Sequence, residues 1–363
     1  MSVQDKIKEI EEEMFKTQKN KATEHHLGLL KAKLARLRKE VNSSRKSGGR
    51  GGFGIKKSGD STVVFIGLPS TGKSTLLNAL TGSKSVSAAY EFTTLTCIPG
   101  VLKYKGANIQ LLDLPGIIEG GARGSGRGRE ILAVARSADL VLLITDVYKP
   151  ERDVLVKELT NIGIRLDQKE PDIKIERKER GGIEINKTVK LTKITERMIV
   201  SILGEYGIHN AHLVIRTNVD VDQFIDIVIG NRQYIPSLTI LNKVDLVNKD
   251  YFKQLKYKKF IPISAEKNEN IEEIKKQIYE KLDLIRIYTK PRREKADLGE
   301  PMMLKRNSTV KKFCEYLHRD LIKEFRYALV WGPSAKHPGQ QIGLRHKLKD
   351  KDIVSIITKT GNL

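Results

Sequence analysis

A chain of 363 residues is longer than one ordinary hydrophobic core supports, so two to four domains are expected. Hydrophobic residues at 39% and charged residues at 30% give a globular, water-soluble balance, and the longest apolar runs, such as Leu140 to Ile144, are strand-sized and too short to span a bilayer. The formal net charge of +22 favours a polyanionic partner, most simply RNA, over the alternative of a lysine-rich surface of heat- or salt-adapted origin. Cys97 and Cys314 have no metal-site spacing, and the chain is charged from Asp5 onward. A reducing compartment, no secretory leader, no membrane partner and a cytoplasmic location are therefore expected.

Ile7, Ile10 and Met14, and again Leu27, Leu30, Leu34, Leu37 and Val41, recur three and four residues apart. The polar stretch Thr17 to Lys21 interrupts this stripe, which predicts two antiparallel helices, a hairpin over residues 1–45. Lys31, Lys33, Arg36, Arg38 and Lys39 crowd the second helix, either to face RNA phosphates or as a merely solvated surface. Residues 46–59 are a basic linker rich in glycine and serine.

The β-branched run Thr62 to Ile66 predicts a buried strand, and Leu76 to Leu80 a helix. Between them lie Gly67, Leu68, Pro69, Ser70, Thr71, Gly72, Lys73, Ser74 and Thr75, which fit the phosphate-loop pattern G-x-x-x-x-G-K-[ST] without mismatch. The glycines let backbone N–H groups turn toward a polyphosphate at a helix N-terminus. Lys73 is expected to reach the β- and γ-phosphates, and the Ser74 hydroxyl to hold Mg²⁺. In the Thr-rich segment Tyr90 to Thr96, either Thr93 or Thr94 is placed to close on Mg²⁺ and the γ-phosphate.

A strand from Asn108 ends in Asp113, Leu114, Pro115 and Gly116, the pattern D-x-x-G. Asp113 is expected to bind Mg²⁺ through water, and the Gly116 N–H to meet the γ-phosphate. Ile117 follows where many GTPases carry a catalytic glutamine, and isoleucine cannot orient an attacking water, so slow unaided hydrolysis is expected. The Gly- and Arg-rich stretch Ile118 to Arg129 suits a second switch segment.

Strands are expected at Ala138 to Val147 and Ser237 to Leu241, with a helix at Asp153 to Ile162. The span between, residues 164–235, is too long for a plain connection and reads as an inserted α/β subdomain. Within it, Ile173 and Ile175, then Ile183 and Ile185 across Gly181 and Gly182, predict a β-hairpin. Asn242, Lys243, Val244 and Asp245 form N-K-x-D directly after a strand. A carboxylate there accepts from the guanine N1–H and 2-amino group, which adenine does not match, and such polar pairing discriminates by about 10⁴-fold or more. Ser264 and Ala265 end the next strand, where a backbone N–H is expected to meet the guanine O6. A helix from Asn270 to Leu282 closes a nucleotide domain of residues 60–163 and 236–284. Residues 285–363 read as a small α+β interaction module, with a helix at Val310 to Leu321, a lone Trp331 and loops made basic by Lys336, Arg345, Lys347 and Lys349.

In this order the motifs resemble the developmentally regulated GTP-binding proteins, a branch of the Obg-type GTPases. Thr17 to Thr23, His25 to Lys31, Ala89 to Thr96, Leu111 to Gly120, Arg286 to Pro291 and Tyr327 to Gly332 carry the resemblance, which covers essentially the whole chain. It implies an α/β fold: a Ras-like P-loop GTPase domain with an inserted α/β subdomain, an N-terminal helical hairpin and a C-terminal β-grasp TGS domain. It implies GTP and GDP as ligands, and a GTP-hydrolysing switch that associates with ribosomes or RNA in translation. An RNA-binding factor whose nucleotide is structural and slowly turned over is the alternative. Lys73, Thr94 and Gly116 become the catalytic set, with Thr94 chosen over Thr93, and Ser74 and Thr94 the direct Mg²⁺ ligands beside Asp113. Relatives can also use K⁺, but often carry Asn or Asp where Ser70 stands here, a departure that tells against it. Eukaryotic relatives pair with a stabilising partner protein.

Overall fold

The structure is a computed structural model that describes residues 3–18, 20, 23–43, 59–82, 88–89, 96–114, 134–230, 232–248, 250–255, 259–291, 296–318 and 320–359. Apart from Gly59 and Thr96, the segments expected as linker, first switch and second switch lie outside the described residues, as do Thr93, Thr94, Pro115, Gly116 and Ile117.

The chain begins with α1 (Val3–Lys16) and α2 (Glu24–Ser43), joined by a turn in which Asn20 Oδ1 accepts from the Thr23 N–H at 2.9 Å. β1 (Ser61–Gly67), buried at every position, runs into α3 (Lys73–Thr81). There follow β2 (Ala88–Ala89), β3 (Thr96–Tyr104), β4 (Ala107–Asp113), β5 (Leu140–Asp146) and α4 (Arg152–Asn161). The middle of the chain forms β6 (Ile164–Leu166), β7 (Ile173–Arg177), β8 (Ile183–Lys187), α5 (Glu196–Glu205), β9 (Ala211–Ile215), α6 (Val221–Ile229) and β10 (Gln233–Ile235). Next come β11 (Ser237–Asn242), α7 (Tyr251–Gln254), β12 (Ile261–Pro262) and α8 (Ile271–Leu282). The chain closes with β13 (Leu284–Thr289), β14 (Met302–Lys305), α9 (Val310–Leu317), α10 (Leu321–Glu324), β15 (Phe325–Trp331), β16 (Gln340–Ile342) and β17 (Asp352–Thr358).

These elements gather into two compact units, Met1–Gly52 with Gly163–Tyr234, and Phe53–Ile162 with Ile235–Leu363. In the second, seven strands form one sheet in the order β12-β11-β5-β1-β4-β3-β2. β12, β11, β5, β1 and β4 run parallel, and β3 returns antiparallel along β4. Parallel strands covered on both faces read as continuous apolar runs, as β1 and β5 do. The strand order reverses beside β1, where open α/β sheets place their ligands at the carboxyl ends of the strands.

The same unit holds a five-stranded sheet, β14-β13-β17-β15-β16, with Val310, Phe313 and Cys314 of α9 in its core. Burial pushes the Cys314 thiol up to about 11, so this cysteine is a packing residue rather than a nucleophile. The single helix expected over Val310 to Leu321 is broken: His318 is extended, and its Nδ1 accepts from the Asp320 N–H at 3.3 Å before α10 begins. This module is not a loose appendage. Leu284 and Met303 enter the core of the seven-stranded sheet, and Lys305 pairs with Asp139 at 2.9 Å. Pro301 crowds Gly106 in the β3–β4 turn.

The other unit corrects one expectation. β7 and β8 do not pair as a hairpin; β9 lies between them, antiparallel to β7 and parallel to β8. β9 alternates buried Ala211, Leu213 and Ile215 and is the most apolar of the three, so burial favours it at the centre. The β7–β8 connection crosses its start, where Asn210 Oδ1 accepts from the Gly182 N–H at 2.8 Å.

The second N-terminal helix, α2, shares the core of this unit. Ala32 is fully buried with Met198, Ile202 and Phe224, and a side chain at Gly28 would meet Met198 at 2.7 Å. The basic residues of α2 are drawn into this packing. Lys31 pairs with Asp222 at 2.6 Å, and Arg38 with Glu11 at 2.7 Å. Arg36 and Lys39 donate to the carbonyls of Glu205 and Ile229. Four of the five cations expected to face RNA or solvent therefore bind the chain itself.

Candidate nucleotide site

Four strand ends build the site. β1 ends at Gly67, β4 at Asp113, β5 at Asp146 and β11 at Asn242, and the ladders place these strands side by side.

The loop after β1 is shaped by close approach. A side chain on Gly67 would lie 2.4 Å from the Ile144 carbonyl oxygen, and one on Gly72 would lie 2.3 Å from Asn242 Nδ2. Gly72 is left-handed at φ 84°, and Ser70 adopts φ 65°. The buried Thr71 closes the loop by donating to the Leu68 carbonyl at 2.9 Å, while Pro69 and Thr75 are exposed. α3 starts immediately after Gly72, and N–H groups of a first helical turn have no acceptor within the helix.

Lys73 folds back over the loop, donating to the carbonyls of Gly67 at 3.1 Å and Leu68 at 2.9 Å. Burial pushes its pKa below the usual lysine value, and the Asp113 carboxylate acts in the opposite direction. The Ser74 hydroxyl donates to Asp113 Oδ2 at 2.7 Å. The other carboxylate oxygen, Asp113 Oδ1, is buried with no hydrogen-bond partner among the described residues. A buried carboxylate oxygen without a donor is costly, and beside a hydroxyl it is a hard-oxygen donor set that suits Mg²⁺. Leu114 behind it is fully buried.

The N-K-x-D segment is bolted to the phosphate loop. Asn242 Nδ2 donates to the Thr71 carbonyl at 2.9 Å, and its Oδ1 accepts from the Lys243 and Ala265 N–H groups at 2.8 and 3.1 Å. Lys243 Nζ donates to the Ser70 carbonyl at 2.7 Å and to Asp146 Oδ2 at 2.8 Å. Val244 is half-buried against Leu241 and Leu255. A hydrogen bond from Ser264 holds the Asp245 carboxyl below the usual carboxylate range, with Lys267 beside it at 3.4 Å. Asp245 thus stays ionised as an acceptor well into mild acid. Of the backbone N–H groups at Ser264 and Ala265, where one is expected to meet a base, that of Ala265 is engaged here by Asn242, which gives it a bracing role in this conformation.

Among the described residues, the phosphate loop, Asp113, the N-K-x-D segment and Ser264–Ala265 come together at one end of the sheet. Asp146 belongs to the same cluster and escapes motif reading, because a single aspartate at a strand end matches no pattern. Its signal is positional: it closes the apolar run of β5, beside the strand that carries Asn242.

The fold and the clustered motifs define a Ras-like P-loop GTPase joined to a small C-terminal β module. Comparison with known proteins gives the same class. Residues 62–178 match the family described as 50S ribosome-binding GTPase, residues 180–284 the C-terminal region of the MMR_HSR1 domain, and residues 285–358 the TGS domain. The chain is 54% identical over 366 residues to an uncharacterized GTP-binding protein of Methanocaldococcus jannaschii, covering 99% of this chain and 94% of that one. It is 49% identical to developmentally-regulated GTP-binding protein 2 homolog of Dictyostelium discoideum and 47% to developmentally-regulated GTP-binding protein 2 of Bos taurus, each covering 99% of this chain and all of the relative. The chain belongs to the developmentally regulated GTP-binding protein family, and it binds and hydrolyses GTP.

Proposed function

We propose that this GTPase is a switch acting on the ribosome or its RNA during translation, with the guanine nucleotide held at the four strand ends. The observation that carries the nucleotide part is the direct bonding of the guanine-reading segment to the phosphate loop, Asn242 to Thr71 and Lys243 to Ser70. Loop N–H groups and Lys73 bind the phosphates. Asp245 accepts from the guanine N1–H and 2-amino group, and Asn242 with Ala265 braces it. Ser74 and Asp113 would hold Mg²⁺, with Thr94 as a further ligand; when bound, the ion neutralises charge on the β- and γ-phosphates. The Gly116 N–H meets the γ-phosphate, and the two segments that follow the phosphate loop and Asp113 act as switches.

The charge of +22 and the ribosome-binding description of the matching family support a ribosomal partner. Four basic residues of α2 bond within the chain, so the exposed Lys336, Arg345, Lys347 and Lys349 are the better candidates for RNA phosphates. Ile117 after Gly116 supports slow hydrolysis until the ribosome or a cation assists.

The test is GTP turnover with and without ribosomes, in potassium and in sodium. Slow turnover alone and acceleration on ribosomes are expected, and a calorimetric titration without guanine nucleotide uptake defeats the proposal. Ile117 also favours the second reading, an RNA-binding factor with a structural nucleotide; that reading predicts turnover indifferent to ribosomes.

A further inference from the structure

Lys243 sits at a mechanical junction. It is left-handed at φ 63°, a strained conformation for a lysine that must be held by its surroundings. Its ammonium bridges the Ser70 carbonyl, itself on a left-handed residue, and Asp146 Oδ2. Asp146 is 4% exposed, and the ladder of β5 and β11 sets it directly opposite Asn242. Its second oxygen, Oδ1, accepts from the N–H groups of Tyr148 and Lys149 at 3.0 and 2.7 Å. These two bonds fix the carboxylate on its own strand end, so its remaining oxygen is presented to Lys243 in one orientation.

From this geometry we infer that Asp146 is a positioning residue for nucleotide retention: through Lys243 it locks the phosphate loop to the guanine-reading segment. The inference rests on the nucleotide reading of the site. Without the Asp146 charge, Lys243 keeps the Ser70 carbonyl and the face of the Tyr148 ring at 6.0 Å, and its backbone twist and the Asp245 that follows two residues later are held less firmly in register. Nucleotide already bound would then leave faster, while groups at the γ-phosphate stay in place. The loss therefore falls on KM and on the GDP release rate rather than on kcat at saturating GTP.

Asp146→Asn isolates the contact, because asparagine keeps an oxygen for the Tyr148 and Lys149 N–H groups and turns an amide NH₂ toward the ammonium. The experiment is a double-mutant cycle on the full chain, with Asp146→Asn, Lys243→Met and both together, read as GDP release rate and as KM against kcat. Loss of a close charge pair predicts about a tenfold faster GDP release and about a tenfold higher KM for Asp146→Asn, with kcat changed less than about twofold. In the Lys243→Met background the same change should add less than about twofold, since the two residues act as one unit. Losses that multiply, or wild-type GDP release in Asp146→Asn, overturn the inference. If thermal unfolding of Asp146→Asn lacks a cooperative transition, Asp146→Ser repeats the cycle with the turn acceptor retained. Wild-type protein that fails to retain GDP defeats the nucleotide reading itself, whereas multiplicative losses in a protein that retains GDP defeat only the role of Asp146.

Discussion

The two ends of the seven-stranded sheet handle carboxylates in opposite ways. At the strand starts the half-buried Asp60 and Asp139 each have donors. Asp60 accepts from the Asn108 N–H at 2.7 Å, and Asp139 from the Thr62 N–H at 3.0 Å and from Lys305 at 2.9 Å. At the strand ends Asp113 Oδ1 has no donor among the described residues, and the Lys73 ammonium is held by loop carbonyls that a triphosphate could replace. At the first end the carboxylates are finished by the protein, Asp139 by Lys305 of the C-terminal module. The second is left open to be completed by a ligand, which is how a functional site differs from a structural one.

Breaking the open end should have the largest effect. Lys73→Met removes a partly buried cation from the phosphates and is expected to weaken GTP binding by about 10²-fold or more in titration calorimetry. At the finished end, Asp139→Ala strips the Thr62 N–H and Lys305 of their acceptor and should cost about 2 kcal/mol of stability in chemical denaturation. Asp113→Asn sharpens the contrast. The nucleotide-free protein should melt at the same or a higher temperature, because a buried unpaired carboxylate oxygen is gone, while the Mg²⁺ dependence of GTP binding collapses.

A pH series separates the ends further. Burial holds the folded-state pKa of Lys73 below the ordinary 10.5, so between the two values the unfolded chain binds more protons. Stability of the nucleotide-free protein from this group therefore rises with pH across that window, and the rise should be missing from Lys73→Met when the two melting curves are subtracted. Lys305→Ala should have the smallest effect, below about 1 kcal/mol, because its side chain is 61% exposed and its ion pair is screened by water.

What the sequence made legible follows the same division. The phosphate loop and N-K-x-D are consecutive residues tied to strand and helix patterning, so their chemistry could be read without knowing the fold. The order β7-β9-β8 could not, because a hairpin and a split pair carry the same local alternation; the burial of Ala211, Leu213 and Ile215 decides it. The stripe Leu30 and Leu34 announced a buried face on α2, but the residues that meet α5 and α6 are Ala32 and Ala35, which lie off that stripe. The break at His318 was hidden inside an apolar stripe that runs on through Leu321. Asp146 was invisible for a different reason: its meaning is a register, and register exists only once β5 lies beside β11.

The docking of α2 also has a consequence during synthesis. Met198 and Phe224, the residues that cover its inner face, are translated long after α2 has left the ribosomal tunnel. At about 5–20 residues per second, roughly ten to forty seconds separate the emergence of that helix from the emergence of its partners. Throughout that interval an unfinished polypeptide displays an amphipathic, lysine- and arginine-rich helix with only α1 of its own to rest on, so a chaperone or the surface of the translating particle is its natural temporary host.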